Sequence, residues 1–327
     1  MKIVQGLSKW CSREPVGSVA LGYFDGVHIG HRDIIATTVE EARKRSLPSV
    51  VLSFEPHPLA IINPGAAPKL ITPLNEKIKL IESLGVDVFL ILPFTPALAA
   101  TKPSTFVRMV LAETLRTKHV TVGYDYTFGH LGEGTSKNLA HWSQELGFKV
   151  TVVPPVTVNN KTVSSTLIRQ LVSQGEVVQA KAALGRWPSV SGRVTHGAKR
   201  GRSFGFPTAN IPLRKGLQWP RFGVYAVRSW YQDRHLLGMA NIGSVPTFGE
   251  HTARLEANFF DFQDNLYEKS LRVELLAFIR PERKFVSSEE LRNQLEADKQ
   301  EALRFFPYTG VKMQPDCPSL VYNGEAL

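Results

Sequence analysis

The stretch "VALGYFDGVHIGHRDII", Val19–Ile35, decides the fold of the first half of the chain. It opens as an apolar run ending at Gly22, turns at Asp25-Gly26, and continues as a helical pattern near "HRDIIATTVEEARKRS". Strand, glycine turn and helix in that order predict one repeat of a parallel sheet flanked by helices. His28 and His31 flank Ile29-Gly30 where the helix opens. A tight turn needs only Asp25-Gly26, so the two imidazoles require a further reason.

Working outward, the alternation persists. "SVVLSF", a helix near "PLNEKIKLIESLG" and "VDVFLIL" come next, then a helix near "PSTFVRMVLAETL" and the strand "HVTVGY". The helix "SKNLAHWSQELG" and the strand "KVTVVPPV" precede a long helical stretch from Ser165 to Leu184. This is a doubly wound α/β pattern, whose ligands bind beyond the carboxyl ends of the strands. Gly22, Phe54 and Gly123 stand at such ends. From Trp187-Pro188 the period changes to two, in "VYAVRSW", "HLLGMANIG", "RLEANFFDF" and "LRVELLAFI". One helix remains, starting with the capping pattern Ser287-x-x-Glu290. The second half therefore predicts a small antiparallel β-barrel with a terminal helix. The expected domains are residues 1–186 and 187–327.

With 39 Lys and Arg against 29 Asp and Glu, the formal charge of +10 favours anionic partners. Nucleic acid and nucleotides both qualify. Cys11 and Cys317 lack spaced companions, so neither a disulfide framework nor a metal site is expected. "MKIVQGLSKW" has no signal-peptide core, and the longest apolar run, "VFLILPF", is far short of the roughly 18 residues of a membrane span. The expectation is a cytoplasmic chain.

Helix N-termini favour anions, and Gly30 leaves the backbone bare for close approach. Two imidazoles beside that point suit charge on a phosphate in transit. Capping and packing of the turn explain the histidines equally well; a zinc pair lacks a third ligand at sensible spacing. In "KTVSSTLIRQL", Ser164, Ser165 and Thr166 sit where a helix starts, and Arg169 shares their face. Those hydroxyls and the guanidinium converge on one anion, or represent an N-cap with a surface arginine.

In the second half, "VSGRVTHGAKRGRSFGFPTANI", Val190–Ile211, sets Gly192, Gly197, Gly201 and Gly205 among Arg193, Lys199, Arg200 and Arg202. This reads as a phosphate cradle without a Walker pattern, as a flexible basic hairpin, or as an RNA-binding loop with Phe204 and Phe206 as stacking platforms. Thr208 and Asn210 are hard oxygen donors two apart, suited to Mg²⁺ bridged by ATP phosphates. Glu256 shares a strand face with Arg254 and Asn258; at the mouth of a barrel interior it would act as a general base. A solvated carboxylate is the plainer reading.

The motifs "GYFDGVHIGH", "SFEPHP", "VGYDYTFG" and "VSSTLIR" in order, followed by "HGAKRGRSFGFPTANI", "GVYAV", "NIGSVPTFG", "LEANFFDF" and "RKFVSSEEL", resemble the bacterial bifunctional riboflavin kinase/FAD synthetase family. The resemblance spans nearly the whole chain. It implies an N-terminal nucleotidyltransferase that adenylylates FMN to FAD and a C-terminal kinase that phosphorylates riboflavin, with ATP as co-substrate and Mg²⁺ as cofactor. It assigns His28 and His31 to the ATP phosphates, with Gly22, Phe24, Asp25, Gly30, Ser165, Thr166 and Arg169 in the same nucleotide site. Asp125, Tyr126 and Phe128 would help to bind flavin or adenine. In the kinase it assigns Gly192, Gly197, Lys199 and Gly201 to the nucleotide, Thr208 and Asn210 to Mg-ATP, and Glu256 to the catalytic base. The implied partners are riboflavin, FMN, FAD and ATP, with no nucleic acid or membrane, in a monomer or weak homo-oligomer. The pattern departs at His130-Leu131, where basic residues are usual, and at Glu268, where glycine is usual. A lysine-rich K-M-S-K-S-type loop is missing, which sets aside the aminoacyl-tRNA synthetases that share the paired histidines.

Overall fold

The computed structural model describes residues 1–12, 14–196, 206–247 and 250–306. Contacts divide the chain into two units, Met1–Ser165 and Thr166–Leu327. The helices between residues 165 and 184 therefore group with the second unit, although the sequence period changes only after them.

In the first unit the strands are β1 (Lys2–Gln5), β2 (Ser18–Leu21), β3 (Ser49–Glu55), β4 (Val88–Pro93) and β5 (His119–Gly123), a short hairpin β6 (Thr127–Phe128) and β7 (Gly134–Thr135), then β8 (Lys149–Val153). A second short hairpin, β9 (Thr157–Val158) and β10 (Lys161–Thr162), follows. β1, β4, β3, β2, β5 and β8 form one sheet in that order, with every pairing parallel. β1 has no clear signal in the sequence because only Val4 of its four residues is buried. By contrast, Val50, Val51 and Leu52 of β3 are all fully buried. Helices cover both faces of such a sheet, so its central strands read as continuous apolar runs rather than alternating ones. The helix Ile29–Arg43 packs across β2, β3 and β5, burying Ile34, Ile35, Thr38, Val39 and Ala42. The strand order reverses between β2 and β5, so the crevice lies outside Leu21 and Gly123.

The stretch from Ser165 to Leu184, all but its first residue in the second unit, forms two helices rather than one. Ser165–Gln174 and Val177–Leu184 are separated at Gly175, whose φ of +80° leaves the helical region. β11 (Ser189–Arg193), β12 (Ala209–Pro212), β13 (Gly223–Tyr231), β14 (Arg234–Thr247), β15 (Glu250–Phe259) and β16 (Ser270–Arg280) follow. Their order is β11-β16-β13-β14-β15-β12, antiparallel throughout. The barrel closes where the Thr195 N–H donates to the Asn210 carbonyl at 2.8 Å. Tyr225, Val227, Ile242, Leu255, Ala257 and Leu275 fill the interior. The helix Ser288–Leu303 is capped by Ser287, whose hydroxyl accepts from the Glu290 N–H at 3.1 Å. The Glu290 carboxylate turns to the Val286 N–H instead of completing a reciprocal box. A bidentate pair holds this helix to β16: Arg280 Nε to Asp298 Oδ1 at 2.8 Å and Nη2 to Oδ2 at 2.7 Å, with Asp298 buried.

At the amino-terminal end of the parallel sheet, His119 lies buried between the Ser18 Oγ (2.8 Å) and the Thr151 Oγ1 (2.9 Å). Burial pushes its pKa from 6.5 down to about 4. The unfolded chain takes up this proton more readily, so stability falls as the pH drops through that window, by about 1.4 kcal/mol per pH unit. In His119→Gln the thermal midpoint of the first unit, followed by calorimetry, falls less between pH 6.5 and 4.5 than in the parent. Equal losses would show that His119 does not govern the acid limb.

Candidate functional site

Both termini of the loop after β2 are constrained from within the first unit. Phe24, Gly26 and Val27 have φ of +57°, +85° and +39°. Non-glycine residues adopt such values only where their surroundings hold them there. The Phe24 ring is buried and lies against Gly22, where an added Cβ would meet its Cζ at 2.8 Å. The Tyr23 carbonyl accepts from the Ser53 Oγ and from the Lys77 Nζ, both at 3.0 Å. Asp25, 3% exposed, takes the Ile71 N–H on both carboxylate oxygens at 3.0 Å and the Thr72 N–H at 3.2 Å. Its carboxylate thus anchors neighbouring chain rather than facing a ligand. The Asp25 carbonyl accepts from the Ser165 Oγ at 2.9 Å. That bond joins the two segments singled out in the sequence.

His28 is the N-cap of the helix Ile29–Arg43, its Nδ1 accepting the His31 N–H at 3.2 Å. With Nδ1 accepting that bond, the His28 ring carries its donor hydrogen on Nε2. The His28 and His31 rings stack at 3.5 Å with an interplanar angle of 18°. Capping engages the Nδ1 of His28 and does not by itself exclude an anion at the helix start. Gly30 has room: an added Cβ would touch only the His28 ring at 3.4 Å and Val156 at 3.9 Å.

Across the crevice, Asp125 is exposed beyond β5. Tyr126 stacks on Phe128 at 5.5 Å, with its hydroxyl buried without a hydrogen-bond partner among the described residues. Burial alone raises that hydroxyl's pKa well above its usual range. Phe128, 8% exposed, packs with Phe106 and Trp142 in the core. Of the segment's three candidate residues, Asp125 is exposed and Tyr126 half-buried, while Phe128 belongs to the core. His57 caps the short helix Pro58–Ile62 and meets Tyr23 edge-on at 4.3 Å, a shaping role. His130 and Leu131 are exposed. Thr166 and Arg169 are the second and fifth residues of the helix that Ser165 opens, and both belong to the second unit.

In the second unit, a cavity of about 610 Å³ is lined by Thr208, Asn210, Phe262, Asn265 and Tyr267, among others. The Asn258 Nδ2 donates to the Pro207 carbonyl at 2.8 Å and so pins the start of the Thr208–Asn210 segment. The Asn210 Nδ2 reaches the Thr208 Oγ1 at 3.4 Å. The Arg254 Nη1 donates to the Asn210 Oδ1 at 3.4 Å and lies 3.7 Å from the Glu256 Oε1. Asn210 and Glu256 are register partners on β12 and β15. Glu256 stands on the outer face of the barrel, not in its interior, because strand alternation puts Leu255 and Ala257 inside. Gly192 lies in β11 with an added Cβ 2.7 Å from Ile211, so strand proximity requires glycine there. Gly197, Lys199 and Gly201 lie outside the described residues. Glu268 holds a φ of +64°, which explains the glycine usual at this point; here its carboxylate pairs with Arg193 at 2.8 Å.

Two residues had no signal in the sequence. Arg254 read only as a neighbour of Glu256, and Lys77 read as one charge on an amphipathic helix. Only folding shows that Lys77 is buried, with its ammonium 3.8 Å over the Tyr23 ring.

Comparisons with known proteins agree with this division. A family model described as FAD synthetase matches residues 12–167, and one described as riboflavin kinase matches residues 184–306. The bifunctional riboflavin kinase/FMN adenylyltransferase of Bacillus subtilis is 40% identical over 88% of this chain and 92% of its own length. The protein so named in Escherichia coli K12 is 37% identical over 94% and 99%. A crystal structure of a protein named macrolide-efflux protein from Streptococcus pneumoniae superposes with a TM-score of 0.85 at 32% identity, covering 94% of this chain and 100% of that one. Among the described residues of this chain no helix is long and apolar enough to cross a membrane.

Gly30→Ala separates the needs of the fold from those of a ligand. Alanine fits the space and improves helix propensity by roughly 0.5–1 kcal/mol, so the melting temperature rises or holds. Calorimetric titration with inorganic triphosphate weakens in the same variant. Unchanged triphosphate affinity would remove Gly30 from the anion site.

Proposed function

The chain belongs to the bifunctional riboflavin kinase/FMN adenylyltransferase family, and on that premise we propose which residues carry each of its two reactions. It phosphorylates riboflavin to FMN and adenylylates FMN to FAD. The observation that supports the assignment is that each contact-defined unit contains its own polar site, one around the His28–His31 stack and one around Thr208 and Asn210.

In adenylylation, a phosphate oxygen of FMN attacks the α-phosphorus of ATP and pyrophosphate leaves. His28 Nε2 and the His31 ring oppose the charge that builds on the phosphates, with Gly30 admitting them to the helix start. Asp25 and Phe24 set the shape of the loop. Ser165, whose hydroxyl bonds the Asp25 carbonyl, stands beside the triphosphate's path in the first unit. Asp125 and Tyr126 face the flavin.

In the kinase reaction, the terminal ribityl hydroxyl of riboflavin attacks the γ-phosphorus of ATP, Glu256 accepts its proton, and ADP leaves. Arg254 holds the Glu256 carboxylate toward Asn210. Among the described residues no group of three His, Cys, Asp or Glu side chains is placed to hold a metal. The Thr208 hydroxyl and the Asn210 side-chain oxygen would supply hard oxygens to Mg²⁺ once the Asn210 amide, whose Nδ2 now meets Thr208 Oγ1 and whose Oδ1 accepts from Arg254, turns its oxygen to the ion. When bound, the ion offsets polyphosphate charge. The reading places the functional boundary between Arg186 and Trp187 and the enzyme in the cytoplasm, as a monomer or weak homo-oligomer without a nucleic-acid partner.

Chromatography of products from riboflavin and from FMN, each with ATP and Mg²⁺, tests the assignment. Glu256→Ala lowers FMN formation roughly 100- to 1000-fold and leaves FAD formation from FMN intact. His28→Ala does the reverse and stops the pathway at FMN. Loss of both activities in either variant contradicts separate sites.

A further inference from the structure

Lys77 is 2% exposed, on the helix Leu74–Glu82, and its ammonium is turned into the loop that ends at His28. The Nζ donates to the Tyr23 carbonyl at 3.0 Å and sits 3.8 Å over the ring of the same residue. The Ser53 Oγ donates to that carbonyl as well, so one acceptor ties the loop to both β3 and this helix. Asp25 faces the ammonium from the loop and Glu55 from the end of β3, while Glu76 is the buried charge next to it on its own helix.

Burying a lysine ammonium is expensive, and a methionine of similar length would pack there without that penalty. The charge is retained beside a segment in which Phe24 and Val27 hold positive φ and His28 caps the next helix through its Nδ1. A fixed positive charge on the Tyr23 carbonyl, with Asp25 beside it, holds that strained path in a single conformation.

We propose that Lys77, in its charged form, is a positioning residue for FMN adenylylation, acting through the Tyr23–His28 loop to set the His28 imidazole against the phosphates. The inference rests on the assignment of that reaction to the first unit. It has a direct consequence for pH. Desolvation lowers the Lys77 pKa from 10.5 to about 8, against the opposing pull of Asp25 and Glu55. The ammonium is therefore lost in a range where an exposed lysine would keep it. Between those two values the unfolded chain binds more protons than the folded one, so deprotonation of Lys77 favours the fold. Any activity lost there through Lys77 is a loss of positioning and not of structure.

The test uses the full chain and both assays on one preparation, with ATP and Mg²⁺ from pH 6.5 to 10. The parent loses kcat for FMN adenylylation above about pH 8, while riboflavin phosphorylation does not follow that limb. Lys77→Met at pH 7 melts no lower than the parent, and its kcat for adenylylation falls on the order of 100-fold with KM changed less. Its riboflavin phosphorylation is unchanged, and its adenylylation profile lacks the limb near pH 8. The proposal is overturned if Lys77→Met stays within threefold of the parent, or if it keeps the same alkaline limb. Should the variant fold poorly, a parent profile that is flat from pH 7 to 10 overturns it equally. A parent that phosphorylates riboflavin but makes no FAD at any pH overturns the assignment of the reaction, and this inference with it.

Discussion

The Asp25 carboxylate accepts the N–H groups of Ile71 and Thr72, and its carbonyl accepts the Ser165 hydroxyl. These bonds draw three segments far apart in sequence to the carboxyl end of β2. A buried carboxylate needs such donors, because an unpaired charge in the interior is strongly disfavoured. Once Asp25 is satisfied by backbone, its place is settled, and the positive φ values at Phe24, Gly26 and Val27 follow from the path left to the chain. His28 then caps the next helix through its Nδ1 and stacks its ring on that of His31. The first site depends on this order of events: anchor, strained loop, cap, imidazole stack.

The second unit reaches a comparable result by closing a sheet on itself. The Thr195–Asn210 bond joins the two ends of the strand order and fixes Asn210 beside Glu256. Apolar side chains take the interior, so polar chemistry is confined to the outer face and to the mouth where Thr208 and Asn210 line the cavity. Arg254 bridges Asn210 and Glu256. Each unit thus pairs a rigid apolar core with polar groups at its margin, which suits reactions that demand positioning and charge stabilisation more than covalent catalysis.

Much of this was legible in residue order alone. Apolar runs alternating with helical periods specify a parallel sheet, and period two after residue 188 specifies antiparallel strands, because each pattern reports which faces an element must bury. Gly22, Gly123 and the His28–His31 pair at strand ends pointed to the crevice because chain order places those ends together. β1 went unseen because an edge strand that buries only Val4 leaves no period to read. The break at Gly175 was missed because one glycine is compatible with both a helix interior and its end.

What the sequence determined by itself was local: element type, the turn glycines, and the presence of histidines, hydroxyls and a carboxylate suited to phosphate chemistry. Only the tertiary structure decided their employment. Asp25 went to backbone donors, Phe128 to the core, Glu256 to the outer face, and Lys77 to the interior beneath the loop. The reason is that a side chain's charge state and partners depend on which distant groups exclude water from it. That is set by the packing of remote segments, which no local pattern encodes.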